Sequence, residues 1–301
     1  MEQNPTKTNI NWYPGHMAKT KKQIIQDLKL IDVIVEIVDA RIPISSQNPD
    51  VKGYSKNKKR VVVLNKSDLA DENETKNWVT YFSKQGIPAV ITDSASGKGI
   101  NEVIRQVKKV SEEEQEKFSN KGRVGKSIRI MILGIPNVGK SSFINRITKK
   151  NTAQVGNKPG VTRQKQWIRL QDGIELMDTP GVLWPKFESE EVGMNLAFTG
   201  SIKDDILEKT EIAFQLLKYL VNNYLDNVIE RYKLDKTVIE NIMQKDEEEN
   251  DKVLEILDII AKKRGAILSG GRIDYEKISI ILLDEFRSAK IGRITLEKAK
   301  I

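Results

Sequence analysis

Gly134-Ile135-Pro136-Asn137-Val138-Gly139-Lys140-Ser141 decides how this 301-residue chain is read. The octet fits G-x-x-x-x-G-K-S and stands between a β-branched apolar run, Arg129–Gly134, and a helix-length segment, Lys140–Thr148. A loop that leaves a strand and opens a helix aims backbone N–H groups and the positive end of the helix dipole at a chain of phosphates. Gly134, Asn137, Val138 and Gly139 are expected to wrap those phosphates. Lys140 reaches the β- and γ-phosphates as a catalytic residue, Ser141 ligates Mg²⁺, and Ser142 adjoins them in the first helical turn. By itself the octet announces a nucleoside triphosphate of unspecified base.

The base is specified upstream, by Asn65-Lys66-Ser67-Asp68, an N-K-x-D loop at the end of the run Arg60–Asn65. A carboxylate at Asp68 accepts from both N1–H and the exocyclic amine of guanine, a donor pair that adenine lacks. The stem of Lys66 can cover the base plane. Asp93-Ser94-Ala95-Ser96, at the end of the next strand-like run, fits the S-A-K type of loop whose backbone N–H meets guanine O6, with Ser96 as a departure.

Downstream of the octet come Thr162 in P-G-V-T and Asp178-Thr179-Pro180-Gly181, a D-x-x-G. Thr162 is expected to ligate Mg²⁺ and to act in catalysis when GTP is bound. Asp178 holds Mg²⁺ through water, and the Gly181 N–H senses the γ-phosphate. Many GTPases place after this glycine a glutamine that orients the attacking water. Here Val182 takes that place, and a hydrocarbon cannot hold a water by hydrogen bonding. The group that acts on the water must come from elsewhere.

Base-reading before phosphate-binding is the reverse of the usual order, so the chain reads as a rotated GTPase. Six strand-like runs, Val33–Asp39, Arg60–Asn65, Ala89–Ser94, Arg129–Gly134, Gln166–Leu170 and Glu175–Asp178, alternate with helical segments at Met17–Leu30, Glu72–Gln85, Ile100–Lys117 and Lys140–Thr148. That alternation predicts an α/β fold, a mostly parallel sheet with helices on both faces. The charged stretch Glu112–Lys126 fits the seam that joins the old termini. Beyond Gly200 the strand signals stop, and helical spacing recurs over Asp205–Tyr232, Lys252–Arg264 and Tyr275–Ala289, with Ser269-Gly270-Gly271 as a turn and Asp274 as an N-cap. The expected organisation is a circularly permuted P-loop GTPase domain over 1–185, a linker over 186–204 and a small all-α domain over 205–301.

Cysteine is absent, which excludes disulfides and thiolate metal sites. No apolar run is long enough to span a bilayer, and the N-terminal residues show no signal core. A cytoplasmic protein without membrane partners is expected. The net charge of +8 is unevenly placed, since Lys117 to Gln171 holds thirteen Lys or Arg and no acid. One nucleotide cannot use so many cations. The block reads either as a solvated surface or as the footprint of a polyanion, RNA rather than DNA.

The rotated order, G-I-P-N-V-G-K-S, D-T-P-G-V-L-W-P, the leading W-Y-P-G-H-M and Asp39-Ala40-Arg41-Ile42-Pro43 together resemble the circularly permuted, hydrophobically substituted GTPases, and within them the bacterial ribosome biogenesis GTPase A family. The resemblance spans roughly Asn11 to Arg287. It implies GTP hydrolysis, slow alone and stimulated by the particle, during late maturation of the large ribosomal subunit. The implied partners are the subunit precursor, its ribosomal RNA and ribosomal proteins. It also nominates His16, the only histidine, as the catalytic group, and Asn137 as a ligand of K⁺ near the phosphates. Without the resemblance, both are ordinary turn residues. A regulatory GTP/GDP switch acting on a protein partner, with hydrolysis as a timer, is the alternative function.

Overall fold

The computed structural model describes residues 23–54, 58–119, 127–151, 167–170, 173–177, 189–202 and 208–300. Six strands form one sheet: β1 (Val33–Asp39), β2 (Lys59–Asn65), β3 (Ala89–Ile91), β4 (Ile128–Leu133), β5 (Trp167–Arg169) and β6 (Ile174–Met177), in the order β3-β2-β1-β4-β6-β5. All pairings are parallel except β5 with β6. Each expected strand is present within a few residues of its anticipated bounds. β1 is buried along its whole length, so VIVEIVD is near-continuously apolar rather than alternating, as a central parallel strand covered on both faces must be. Its mid-strand charge, Glu36, is fully buried and ion-paired with Arg60 of β2. The pairing removes the cost of an isolated buried carboxylate.

Residues 23–27 are helical and run into a 3₁₀ turn at Leu28–Leu30, the described end of the helix expected over Met17–Leu30. The helices of the sheet layer that follow are α1 (Pro49–Tyr54), α2 (Glu72–Lys84), α3 (Ile100–Ser119) and α4 (Lys140–Asn151). Asp71 caps α2 by accepting from Glu74 N at 2.8 Å. α3 continues through most of the charged stretch expected at the seam, because Ser111 is buried and the apolar face of the helix lies on β1 and β2.

The all-α part contains α5 (Glu190–Phe198), α6 (Lys209–Asn223), α7 (Leu225–Tyr232), α8 (Lys236–Gln244), α9 (Glu249–Lys263) and α10 (Tyr275–Arg287). Three details go beyond the sequence reading. α5 lies inside the stretch expected as a linker; Ser189 caps it, and Asn195, Leu196, Ala197 and Phe198 are buried. The helix expected over Asp205–Tyr232 is broken at Tyr224, whose φ of −142° is not helical. Its hydroxyl is drawn off to the carbonyl of Thr295 at 2.8 Å. α8, not anticipated, is capped by Asp235 and buries Ile239 and Ile242. Asp274 caps α10 as expected, accepting from Lys277 N at 2.9 Å. Among the described residues no helix is long and apolar enough to cross a membrane.

α6 is the axis of this part: α9, α10, α5 and α7 all pack against it. One continuous cluster of buried apolar side chains runs from Val33, Val35 and Ile132 of the sheet, through Leu196 and Phe198 of α5, to Leu217, Ile260 and Leu282 of the helices. Because this apolar cluster is continuous across the two parts among the described residues, they are expected to unfold in one transition. All four tryptophans precede residue 185, whereas helix is concentrated after it. Tryptophan fluorescence and far-ultraviolet circular dichroism should therefore report coincident urea midpoints. Separated midpoints would show that the shared core does not couple the halves.

Candidate functional site

The sheet order reverses direction between β1 and β4, and ligands of open α/β sheets bind at such a point, outside the carboxyl ends of the strands. The base-reading loop leaves β2, the Asp93–Ser96 loop follows β3, the phosphate loop leaves β4, and Asp39 closes β1. Residues far apart in the chain therefore meet along one edge.

In the phosphate loop, Asn137 (φ 62°) and Gly139 (φ 91°) adopt the left-handed conformation, which turns successive N–H groups toward one side. Val138 between them is fully buried and anchors the loop. A Cβ at Gly139 would lie 2.3 Å from the Asn65 side-chain nitrogen, so the close approach admits only glycine. Lys140 opens α4, while Ser141 and Ser142 expose their hydroxyls in its first turn. Phe143 and Ile147, on the opposite face, are fully buried and fix the helix to the sheet.

Asn65 is buried and does not present itself to a base. Its Nδ2 donates to the carbonyl of Val138 at 2.8 Å. Its Oδ1 accepts from Ser94 N at 3.1 Å, Ser94 Oγ at 2.7 Å and Thr92 Oγ1 at 3.2 Å. One amide thus ties the base-reading loop to both neighbouring loops. Arg146 of α4 adds a second tie, donating to the carbonyls of Ser94 and Ala95. Asp93 shapes its own loop by accepting from Ala95 N at 2.8 Å and Ser96 N at 3.2 Å. In the loop whose backbone N–H is expected to meet guanine O6, the N–H groups of Ala95 and Ser96 are engaged by Asp93 and that of Ser94 by Asn65.

Asp68 is exposed at the mouth of the site, beside buried Ser67. Partial desolvation, and then the charge of Asp93, push its carboxyl above the ordinary aspartate range. A ligand with two N–H donors relieves both effects. Lys66 has a left-handed φ of 59°, and its ammonium lies 3.0 Å from Asp39. Asp39 is fully buried and also receives Arg41 in a two-pronged pair, Nε at 2.9 Å and Nη2 at 2.7 Å. Burial alone would raise the Asp39 pKa, but Arg41, Lys66 and the hydrogen bonds from Arg41 together hold it well below the usual range. An anion fixed in this way holds the Lys66 stem in place along the base-reading loop.

Asn137 donates to the carbonyl of Gly200, just beyond α5, at 2.9 Å. The phosphate loop is thereby bonded directly to the entry of the helical part. Neither Arg146 nor this link was visible in the sequence, because an isolated arginine or a turn asparagine carries no local signature. His16, Thr162, Asp178 and Gly181 lie outside the described residues, as do Trp12, Val182 and Trp184. Trp167 packs on the cluster of Ile24, Leu28, Met131 and Met177, beneath the guanidinium of Arg129. Within the basic block, Arg129 and Arg169 both pair with Glu175, so part of that charge has a counter-ion after all.

Residues 129–262 match the family model of 50S ribosome-binding GTPases, and residues 51–188 match that of RsgA GTPases. Ribosome biogenesis GTPase A of Bacillus licheniformis is 43% identical over 96% of this chain and 98% of its own length. The protein of that name from Thermotoga maritima is 30% identical over 96% of this chain and 94% of its own. A solved GDP-bound structure of TM YlqF superposes with a TM-score of 0.66 and 25% identity, covering 93% of this chain and all of that one. The chain belongs to the ribosome biogenesis GTPase A family. It is a GTPase of circularly permuted fold with a role in ribosome biogenesis.

The Asn65 amide gives a sharp test, because donor and acceptor ends are both used. Asn65→Asp keeps the shape but sets an oxygen against the Val138 carbonyl. Losing that bond and leaving a buried acceptor unsatisfied costs about 1–3 kcal/mol. Affinity for a fluorescent GDP should fall by roughly tenfold or more. Unchanged affinity would mean that the three loops stay aligned without this bond.

Proposed function

We propose that this GTPase acts in late maturation of the large ribosomal subunit, in the cytoplasm, engaging the subunit precursor through ribosomal RNA and ribosomal proteins in its GTP-bound state. The observation that carries the proposal is the direct bonding of the phosphate loop to the helical part through Asn137 and Gly200, in a chain that matches 50S ribosome-binding GTPases. A change at the γ-phosphate has a short path to residues 205–301, the part assigned here to the particle. The basic stretch Lys117–Gln171 supplies cations for RNA phosphates, less those that Glu175 neutralises.

In this reading, Lys140 and the loop N–H groups hold the β- and γ-phosphates, and Asp68 reads the base. The hydroxyl of Ser141, exposed at the start of α4, fits an oxygen ligand of the Mg²⁺ that accompanies GTP. Thr162 and Asp178 complete that set, and Gly181 reports the γ-phosphate. Bound Mg²⁺ would neutralise charge that develops on the phosphates during transfer. Asn137 has its amide nitrogen committed to Gly200, and its oxygen is the atom that would take K⁺. His16 is the proposed group acting on the water, brought to the γ-phosphate when the particle docks and stimulates turnover.

Sedimentation with ribosomal subunits tests the assignment. Retention on the large subunit should be stronger with a non-hydrolysable GTP analogue than with GDP, and should weaken steeply as salt rises. Equal retention in both nucleotide states would overturn the GTP dependence. Retention by a protein fraction free of ribosomes would favour a switch acting on a protein partner.

Base reading has its own test. Asp68→Asn should bind GTP more weakly, by the roughly 1.5–3 kcal/mol of hydrogen bonds to a charged group, and should accept xanthosine triphosphate better, since xanthine replaces the amine donor with a carbonyl. In the wild type, guanine binding needs Asp68 ionised, and its pKa in the free protein is raised. Affinity should therefore begin to fall, as pH is lowered, at a higher pH than an ordinary aspartate would dictate. A mutant with wild-type GTP affinity would show that Asp68 does not read the base.

A further inference from the structure

The base-reading loop is not supported by its own domain alone. After α10 the chain turns at Ala289 (φ 54°) and Gly292 (φ 132°), then runs back across the GTPase part. A Cβ at Gly292 would lie 2.3 Å from the Asn227 side-chain nitrogen of α7, so this turn is pressed against the helical part. Residues 293–297 form neither helix nor strand, yet they fill a seam between the two parts. The buried side chains of Ile294, Thr295 and Leu296 hold this strap in the seam.

Its bonds are directed at the loop that reads the base. Arg293 donates through Nη2 to the carbonyl of Ser67 and through Nε to that of Ala70, both at 2.8 Å. Ile294 N donates to the carbonyl of Leu69 at 3.2 Å, and Thr295 Oγ1 accepts from Asp71 N at 3.1 Å. The peptides on either side of Asp68, and the cap of α2 beyond it, are thus held from outside. The strap also reaches Arg41 of the Asp39 cluster, where Leu296 N donates to the Arg41 carbonyl at 2.8 Å. The Glu297 carboxylate accepts from Ile44 N at 2.6 Å, Ser45 N at 2.9 Å and Ser45 Oγ.

On its other side the strap is gripped by the helices. Tyr224 and Tyr219 of the helical part donate to the carbonyls of Thr295 and Leu296, each at 2.8 Å. Trp78 of α2 donates to the Glu297 carbonyl at 2.9 Å. The guanidinium of Arg41 stands 5.6 Å from the ring centroid of Phe286 in α10, a further contact between the same two bodies.

We infer that Arg293 is a positioning residue for base selection, and that the strap 293–297 couples the helical part to the affinity for guanine. Arg293 bonds to the backbone carbonyls of Ser67 and Ala70, not to the Asp68 carboxylate. It fixes the peptide that precedes Asp68, and so the angle at which the carboxylate meets N1–H and the exocyclic amine. The inference rests on Asp68 as the base reader. Coupling of this kind is reciprocal: a bound nucleotide that orders the 67–71 loop also tightens the strap, and displacement of the strap loosens the nucleotide.

The test compares GDP with inosine diphosphate, whose base lacks the amine. Wild type should favour GDP by roughly 10- to 150-fold, the range for one hydrogen bond to a charged acceptor. No preference would refute Asp68 as base reader and leave Arg293 nothing to position. Given that preference, Arg293→Ala should shrink the GDP-to-IDP ratio by about tenfold, and Arg293→Lys, which can keep one of the two bonds, should lie between. An equal loss of affinity for both nucleotides, or an unchanged ratio, would overturn the positioning role, since general loosening cannot distinguish the two bases. Should Arg293→Ala not fold, amide exchange on the wild-type protein decides. GDP should slow exchange at Ile294 and Leu296, and indifference of those amides to GDP would overturn the coupling.

Discussion

The side-chain amide of Asn65 is the bond on which the nucleotide edge depends. In a rotated chain the base loop and the phosphate loop lie on segments 73 residues apart, and the sheet alone aligns their strands but not their tips. One planar group with two donors and an acceptor of two lone pairs meets this need, because its ends can satisfy different loops at once. Burial makes the arrangement stiff: a polar group withdrawn from water keeps its partners, since no solvent competes for them. Gly139 follows from the same constraint, as the amide passes too close for any side chain there. Asp39 acts similarly one strand over, where two cations converge on a carboxylate with no access to water.

Much of this was legible in the chain. The strands were readable because a parallel sheet covered on both faces demands uninterrupted apolar runs such as Val61–Leu64. The loops were readable because the chemistry of phosphate and guanine fixes residue type and spacing, as in Gly134–Ser141. What the sequence hid was set by distant partners. Tyr224 ends a helix that its own spacing would continue, because its hydroxyl is claimed by Thr295, 71 residues on. α5 is short and was masked by the polar residues around it; burial against α6 and α10 adds to its Ser189 cap in stabilising it. Arg146 and Arg293 look like surface cations until the fold brings carbonyls to meet them. Asn65 was read as a base contact, and its structural duty could be seen only once the phosphate loop was in place.

Arg287 extends, within the helical part, the link that Asn137 makes from the phosphate loop to Gly200. Arg287 of α10 donates to the carbonyls of Ala197 and Phe198 at the C-terminal end of α5, where helix carbonyls lack partners of their own. Gly200 lies against the same guanidinium and also receives Asn137. A movement at the phosphate loop therefore meets a bonded sequence of Asn137, Gly200 and α5, with Arg287 on its far side. Discrete alternatives at such a boundary, rather than gradual bending, are what a packed core permits.

The return of residues 293–297 to the base loop also sets a schedule for synthesis. At roughly 5–20 residues per second, the carbonyls of Ser67 and Ala70, made 226 and 223 residues earlier, wait on the order of 10–45 s for the guanidinium that braces them. A nascent chain that already carries its phosphate loop can collapse around β1, β2 and β4 during that interval. Its guanine loop nonetheless lacks the outer brace. The last native contacts to form are those with the greatest loop-closure cost. The brace on this loop thus forms only once residue 293 has been made, well after the sheet that carries the loop.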